Sequence, residues 1–414
     1  MAKDIFYTAL DIGTSKVVTV VAQVGPEGEL KIVGTGLVPS QGVVKGQIVN
    51  VAEAQEAVQA SLNDAQRYMG YRIPWTYVSI AGASTACFNT TGVIHADTNG
   101  DPISGENVDQ LVQSSYPQIP EDKQLLHVMP VNYVVDGYRG VRSPLGLHAG
   151  RVEVESHIVM ADRDAIRQIL HAVEGCNVPV RDVVLSSLAS AEAILFQDEK
   201  EMGVVLADIG AGTTDLAIFK DGNLWFDTSI PVGGNQLTRD LSVALGVPYY
   251  FAEELKDKWA HASPDIEQAS EEVLLPSFQG QARRLIRRAT LCKPLIDRLQ
   301  ETLGLIMLRA QQAGLRRLPP GGVVLTGGTS RIPGFQQMAA EILACPVRVA
   351  SPMGIRGFSA EHNQHAFSTV IGLLLWGIKN QNRTGAFNRS RAEYGSRRGS
   401  NAFFQRIKKA VKVK

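Results

Sequence analysis

Two short stretches combine the residue types that hold phosphate. Asp11-Ile12-Gly13-Thr14-Ser15-Lys16 and Asp208-Ile209-Gly210-Ala211-Gly212-Thr213-Thr214-Asp215 each place an aspartate at the end of an apolar run, then glycine, then hydroxyls. Glycine lets backbone N–H groups come close to an anion, Ser and Thr add donors, and a carboxylate holds Mg2+ through water, a cation that usually keeps several waters. One such stretch alone is more often a plain tight hairpin. Two in matching contexts predict a phosphate clamp, with Asp11 and Asp208 at the metal. A third stretch, Leu325-Thr326-Gly327-Gly328-Thr329-Ser330-Arg331-Ile332-Pro333-Gly334, runs from an apolar strand through a glycine pair toward a helix starting near Pro333. Its turn is open enough for a base or ribose to lie against the main chain.

The elements that must position these stretches repeat. Apolar runs at Phe6–Leu10, Val17–Val24 and Lys31–Val38 predict a three-stranded meander, residues 52–69 a helix, and Thr76–Gly82 a further strand. A second unit of the same order follows: strands at Gly203–Ala207, Leu216–Phe219 and Leu224–Pro231, then a helix over Gln236–Leu245. Gln279–Ala313 reads as a long helical stretch that Pro294 should kink or divide. Residues 84–162 read as short strands with one helix. His127 and His157 within them read as structural side chains rather than metal ligands, and Cys87 and Cys176 as small core residues.

A chain of 414 residues with 44% hydrophobic and 20% charged residues is long enough for two or three domains and a large core. Its four cysteines lie far apart with no C-x-x-C pair, which speaks against a disulfide framework or a zinc cage and for a reducing compartment. No signal peptide or membrane-spanning run is expected. The net charge of zero hides an asymmetry, because residues 380–414 hold ten Lys or Arg against Glu393 alone. A basic end on an acidic body implies an anionic surface met by one end of the chain, nucleic acid or membrane.

The terminal residues separate those two. Residues 380–399 lack a sustained apolar period and read as a linker. In 400–414, Phe403, Phe404, Ile407 and Val411 fall on one helical stripe, with Arg406, Lys408, Lys409 and Lys412 mostly away from it. Tracking phosphates needs no apolar stripe, so the pattern favours a bilayer interface over nucleic acid. Each apolar side chain contributes at most about 1.5–3 kcal/mol on full burial, and each cation about 1 kcal/mol near an anionic leaflet. Such an anchor is weak singly and avid when many are joined.

The ordered set of glycine stretches resembles the actin, Hsp70 and sugar-kinase superfamily. Val183–Ala191 and Ala366–Trp376 are similar to its two connecting helices, whose small residues would let them cross closely. Ala252-Glu253-Glu254-Leu255-Lys256 resembles the A-E-x-x-K segment of bacterial actins, although alone it would be a solvated ion pair. The insertion after Gly82, with His127-Val128-Met129-Pro130 and Pro144-Leu145-Gly146-Leu147, and the stretch Pro39-Ser40-Gln41-Gly42-Val43-Val44-Lys45-Gly46 resemble the FtsA family of actin-like bacterial division proteins.

The resemblance implies an α/β fold of two lobes, each with a mixed five-stranded sheet and flanking helices, and an α+β subdomain inserted in the first. The first lobe would comprise 1–83, 163–201 and 351–379, with the insertion at 84–162. The second lobe would comprise 202–235 and 305–350, with an outer subdomain at 236–304. It implies ATP and Mg2+ held by Gly13, Thr14, Ser15, Lys16, Gly210, Ala211, Gly212, Thr213, Thr214, Gly234, Gly327, Gly328, Thr329 and Arg331, with Glu253 and Lys256 at the nucleoside. It further implies a filament on the inner face of the cytoplasmic membrane, tied to FtsZ and later division proteins, with no nucleic-acid partner. Hydrolysis would be weak at most, since Asp182 is the only acid near the first connecting helix. A PilM-like pilus adaptor and a small-molecule kinase share the clamp. An Hsp70-type chaperone would need a peptide-binding domain for which too little chain remains.

Overall fold

The computed structural model describes residues 5–380 apart from 26–29, 68, 71, 96–100, 264, 276–282, 354, 356 and 358–363. The terminal apolar stripe and its cations lie outside the described residues. The chain forms two compact units, one from residues up to Cys87 and from Ala165 to Ile378, the other from Phe88 to Asp164.

The larger unit carries two five-stranded sheets of one topology. In the first, Ile5–Ile12 pairs antiparallel with Lys16–Val24, which pairs antiparallel with Leu30–Pro39. On its other side Ile5–Ile12 runs parallel to Thr76–Ile80, and that strand parallel to Val180–Leu185. The second repeats the scheme: Val204–Ile209 is antiparallel to Thr214–Lys220, which is antiparallel to Asn223–Ile230. Val204–Ile209 is also parallel to Val323–Thr326, and that to Val347–Val349. Burial on both faces explains the near-continuous Val, Ile, Leu and Ala runs of the inner strands. In each sheet the glycine stretch joins the first two strands, so both aspartates stand at equivalent strand ends.

Two helices join the lobes. Ser186–Ile194 follows directly on the strand ending at Leu185, so Val183–Leu185 are strand rather than helix. Ser368–Lys379 is the other. They cross at their small residues: a Cβ at Gly372 would stand 1.7 Å from the Ala189 carbonyl oxygen, and the Ser190 and Thr369 hydroxyls are 3.0 Å apart. No side chain larger than hydrogen fits at Gly372.

The helices Gly234–Leu245, Tyr249–Trp259 and Arg288–Gln312 pack on the second sheet. Arg288–Gln312 begins nine residues later than the helical period suggests, and it is not divided at Pro294. Leu291, Cys292, Leu295, Leu299, Leu303 and Ile306 bury one stripe of it, and that burial outweighs the single backbone bond the proline cannot make.

In the second unit, Thr85–His95, Arg151–Asp162, Lys123–Val135 and Tyr138–Val141 form a four-stranded sheet in that order, with the helix Gly105–Ser114 against it. Three of these strands run to 11, 12 and 13 residues, longer than the short strands expected. His127 and His157 are buried there, and the His157 Nδ1 lies 2.7 Å from Asn89 Oδ1.

Candidate nucleotide site

A cavity of about 600 Å³ lies where the two glycine hairpins of the larger unit meet. Each hairpin is closed by its own glycine: Gly13 N donates to Lys16 O at 3.0 Å, and Gly210 N to Thr213 O at 2.9 Å. Asp11, Gly13, Thr14, Ser15 and Lys16 line one wall; Asp208, Gly210, Ala211, Gly212, Thr213 and Gly234 line the other. The hairpins are in contact, since a Cβ at Gly212 would fall 2.5 Å from Thr14 Oγ1. Thr214 does not line the cavity. Its hydroxyl donates to Val232 O at 2.8 Å, because alternation along the strand turns it away from the side occupied by Thr213.

The third stretch completes the enclosure. Gly327, Gly328, Thr329 and Arg331 line it, and Thr329 Oγ1 donates to Gly210 O at 2.9 Å, tying this turn to the second hairpin. Gly327 has φ +85°, and a Cβ there would fall 2.5 Å from Asp208 Oδ1, so only glycine serves. Glu253 and Lys256, one helical turn apart, also face the cavity. Lys256 Nζ donates to Glu253 Oε1 at 2.7 Å and to Thr238 Oγ1 at 2.9 Å, and Thr238 is itself bonded to Glu253.

Burial and mutual repulsion shape the acids. Asp11 takes a 2.6 Å hydrogen bond from Ser79; burial pushes its carboxyl above the ordinary range, against the pull of Ser79 and Lys16. Asp208 takes bonds from Ser190 at 2.6 Å and Thr369 at 3.2 Å, so the crossing helices hold it from behind. Its pKa is raised by burial and by Asp11, while both hydroxyls and Lys16 oppose the rise. Lys16 is lowered by burial, with both aspartates holding it up. Asp215, the direct cross-strand partner of Asp208, is pushed up to about 7, first by burial and then by Asp208, Asp11 and Asp227, although Ser229 donates to it at 2.6 Å.

Asp11, Asp208 and Asp215 share one cavity, burial raises the pKa of each, and such hard oxygen donors suit Mg2+. The residues present therefore fit a magnesium-bound nucleoside triphosphate: carboxylates for the cation, hairpin amides and hydroxyls for phosphates, and the Glu253–Lys256 wall with the Gly327 turn for the nucleoside.

Sequence reasoning missed Ser79, Asp215, His365 and Thr369 in this lining. Asp215 closes the second glycine stretch itself and Thr369 lies inside the second connecting segment, whereas Ser79 and His365 carry no local signal. Asp182 does not line the cavity. Its carboxylate accepts Val183 N–H at 3.0 Å, and burial lifts it to about 7. The first connecting helix contributes Ser186 instead.

Comparison with known proteins decides the family. The family model for cell division protein FtsA matches residues 205–372, and that for the SHS2 domain inserted in FtsA matches residues 82–160. Cell division protein FtsA of Pseudomonas aeruginosa is 36% identical over 97% of this chain and 96% of its own. This chain belongs to the FtsA family. The Escherichia coli K12 member is 31% identical over 89% of each chain. Among solved structures, the PilM–PilN type IV pilus biogenesis complex superposes with a TM-score of 0.63 at 16% identity, covering 90% of this chain and 98% of the other. MreB5 of Spiroplasma citri bound to ADP does so at 0.55 and 14%, covering 92% and 99%. The likeness to PilM and MreB5 establishes an actin-like fold for this FtsA-family chain.

Proposed function

We propose that this FtsA-family protein binds Mg-ATP between its two lobes, polymerises on the cytoplasmic face of the cell membrane at the division site, and tethers FtsZ filaments there while recruiting later division proteins. One observation carries the nucleotide reading: both glycine hairpins, their aspartates and the Gly327 turn face a single cavity. The ADP in the MreB5 structure supports it, since that protein shares the fold. In this reading Asp11 and Asp208 hold the metal through water, and Lys16 and the hairpins take the phosphates. The metal supplies charge neutralisation for the phosphates. Ser190 and Thr369 fix the Asp208 carboxylate from the two helices that join the lobes, so nucleotide state biases the angle between lobes and hence the filament contacts.

Membrane attachment rests on the terminal stripe Phe403, Phe404, Ile407 and Val411 with Arg406, Lys408 and Lys409, and anionic lipids are its surface. Among the described residues no helix is long and apolar enough to cross a membrane. Turnover is slow in this reading, because the first connecting helix presents Ser186 to the cavity, its hydroxyl donating to Ile80 O at 2.8 Å, in place of a carboxylate that could take a proton from an attacking water. The test is titration of Mg-ATP into the full chain: Asp208→Ala is expected to weaken binding by roughly tenfold or more. Unchanged affinity would remove Asp208 from the metal site.

A further inference from the structure

The stretch Gly42–Gly46 has no carboxylate or hydroxyl with which to hold a metal or phosphate, yet its last residue reaches the cavity. Val43–Val44 and Gln47–Ile48 pair antiparallel as a two-stranded hairpin. Its tip, Lys45 and Gly46, has φ of +49° and +73°, the two positive values that a type I′ turn requires. Val43 and Ile48 are buried at its base. Gly42 O accepts Val49 N at 2.8 Å and Asn50 N at 3.1 Å, which fastens the base to the start of the helix Val51–Arg67.

The tip is held from three directions. Gly46 N donates to Thr14 Oγ1 at 2.9 Å, and a Cβ at Gly46 would lie 2.7 Å from the Ala81 Cβ. From the second lobe, a Cβ at Gly212 would lie 2.9 Å from the Lys45 Cα. The turn is thus wedged between the two phosphate hairpins, and Gly46 itself lines the cavity. A threonine hydroxyl that accepts an N–H retains one O–H to donate. Since Thr14 also lines the cavity, the Gly46 amide leaves that O–H for an anion inside it.

We propose that Val43–Ile48 is a strap over the phosphate end of the cleft: its Gly46 amide positions the Thr14 hydroxyl for the terminal phosphate of a bound triphosphate, and its tip, seated against Gly212, slows escape. This rests on the nucleotide reading above. Gly46 is a positioning residue, acting through Thr14.

Two variants test it. Thr14→Val keeps the side chain's shape and removes the acceptor. Gly42→Ala lies outside the cavity lining but puts a Cβ 2.3 Å from Asn50 O at φ +69°, and so disturbs the strap at its base. With fluorescent ATP and ADP analogues on the full chain, both variants are expected to release the triphosphate roughly tenfold faster, the worth of one hydrogen bond to a charged group. Release of the diphosphate should stay within about twofold of wild type. Equal acceleration of both nucleotides, or of neither, overturns the strap. Hydrogen exchange supplies a readout without nucleotide: the Gly46 amide should exchange faster in Thr14→Val than in wild type, and unchanged exchange overturns the positioning role. If wild type binds neither analogue, the nucleotide reading fails and the exchange experiment alone decides the strap. Should Gly42→Ala not fold, Thr14→Val carries both measurements.

Discussion

Asp182 shows how one carboxyl changes meaning with its surroundings. Its position before the first connecting helix makes it the obvious acid for a cleft, yet it is 8% exposed, takes a backbone N–H and has a pKa near 7. A raised carboxyl pKa means that the folded state binds the proton more tightly than the unfolded chain. Stability is therefore greatest below the ordinary value of 3.8, falls as pH rises toward 7, and levels off above it. Asp182→Asn should flatten this slope: between pH 4 and pH 8 wild type should lose on the order of 3 kcal/mol more than the variant in urea unfolding. Parallel curves would show that burial costs the charge little. Asp215 is likewise lifted to about 7 first by burial, with Asp208, Asp11 and Asp227 adding to the rise, but it faces the cavity.

The elements that decide the site are the two hairpins and the two crossing helices. A hairpin is a local object, so its glycines and hydroxyls stand adjacent in the chain and are legible there. The crossing is not local: Ala189 and Gly372 approach within contact although they are far apart in sequence. Close packing there seats Ser190 and Thr369 on Asp208. Gly372→Ala is expected to destabilise by about 1–3 kcal/mol, the usual cost of overpacking, measured as a lowered denaturant midpoint. Because the displaced helix carries Thr369, the same variant should also weaken Mg-ATP binding. A variant as stable as wild type would show that the helices have room to separate.

Over the whole molecule, two actin-like lobes of one topology present equivalent strand ends to a shared cavity, and a separate unit matches the inserted domain of the family. The charge is divided as well, with the last 35 residues basic and the rest acidic. If 400–414 anchors the protein to lipid, the full chain should sediment with liposomes containing anionic phospholipid, and less so as salt rises through about 0.15 M, where the Debye length is about 8 Å. A chain ending at Gly399 should remain in the supernatant with and without ATP. Sedimentation of that shorter chain would place the anchor elsewhere.

Sequence alone determined what is periodic or contiguous in this protein: the repeated strand order, both glycine hairpins and the Gly327 turn, whereas the Glu253–Lys256 pair stood out only through the family resemblance. Backbone geometry and apolar period act over a few residues, so they leave their mark on neighbouring letters. Tertiary structure decided what depends on direction and distance. It turned Thr214 toward Val232 and out of the cavity, kept Arg288–Gln312 whole through Pro294, and buried Asp182 away from the cleft. It also brought Ser79, Thr369 and the Gly46 tip to the glycine hairpins. Those outcomes follow from which face of a strand is covered and which distant residue lies opposite, and no local pattern of residue types encodes either.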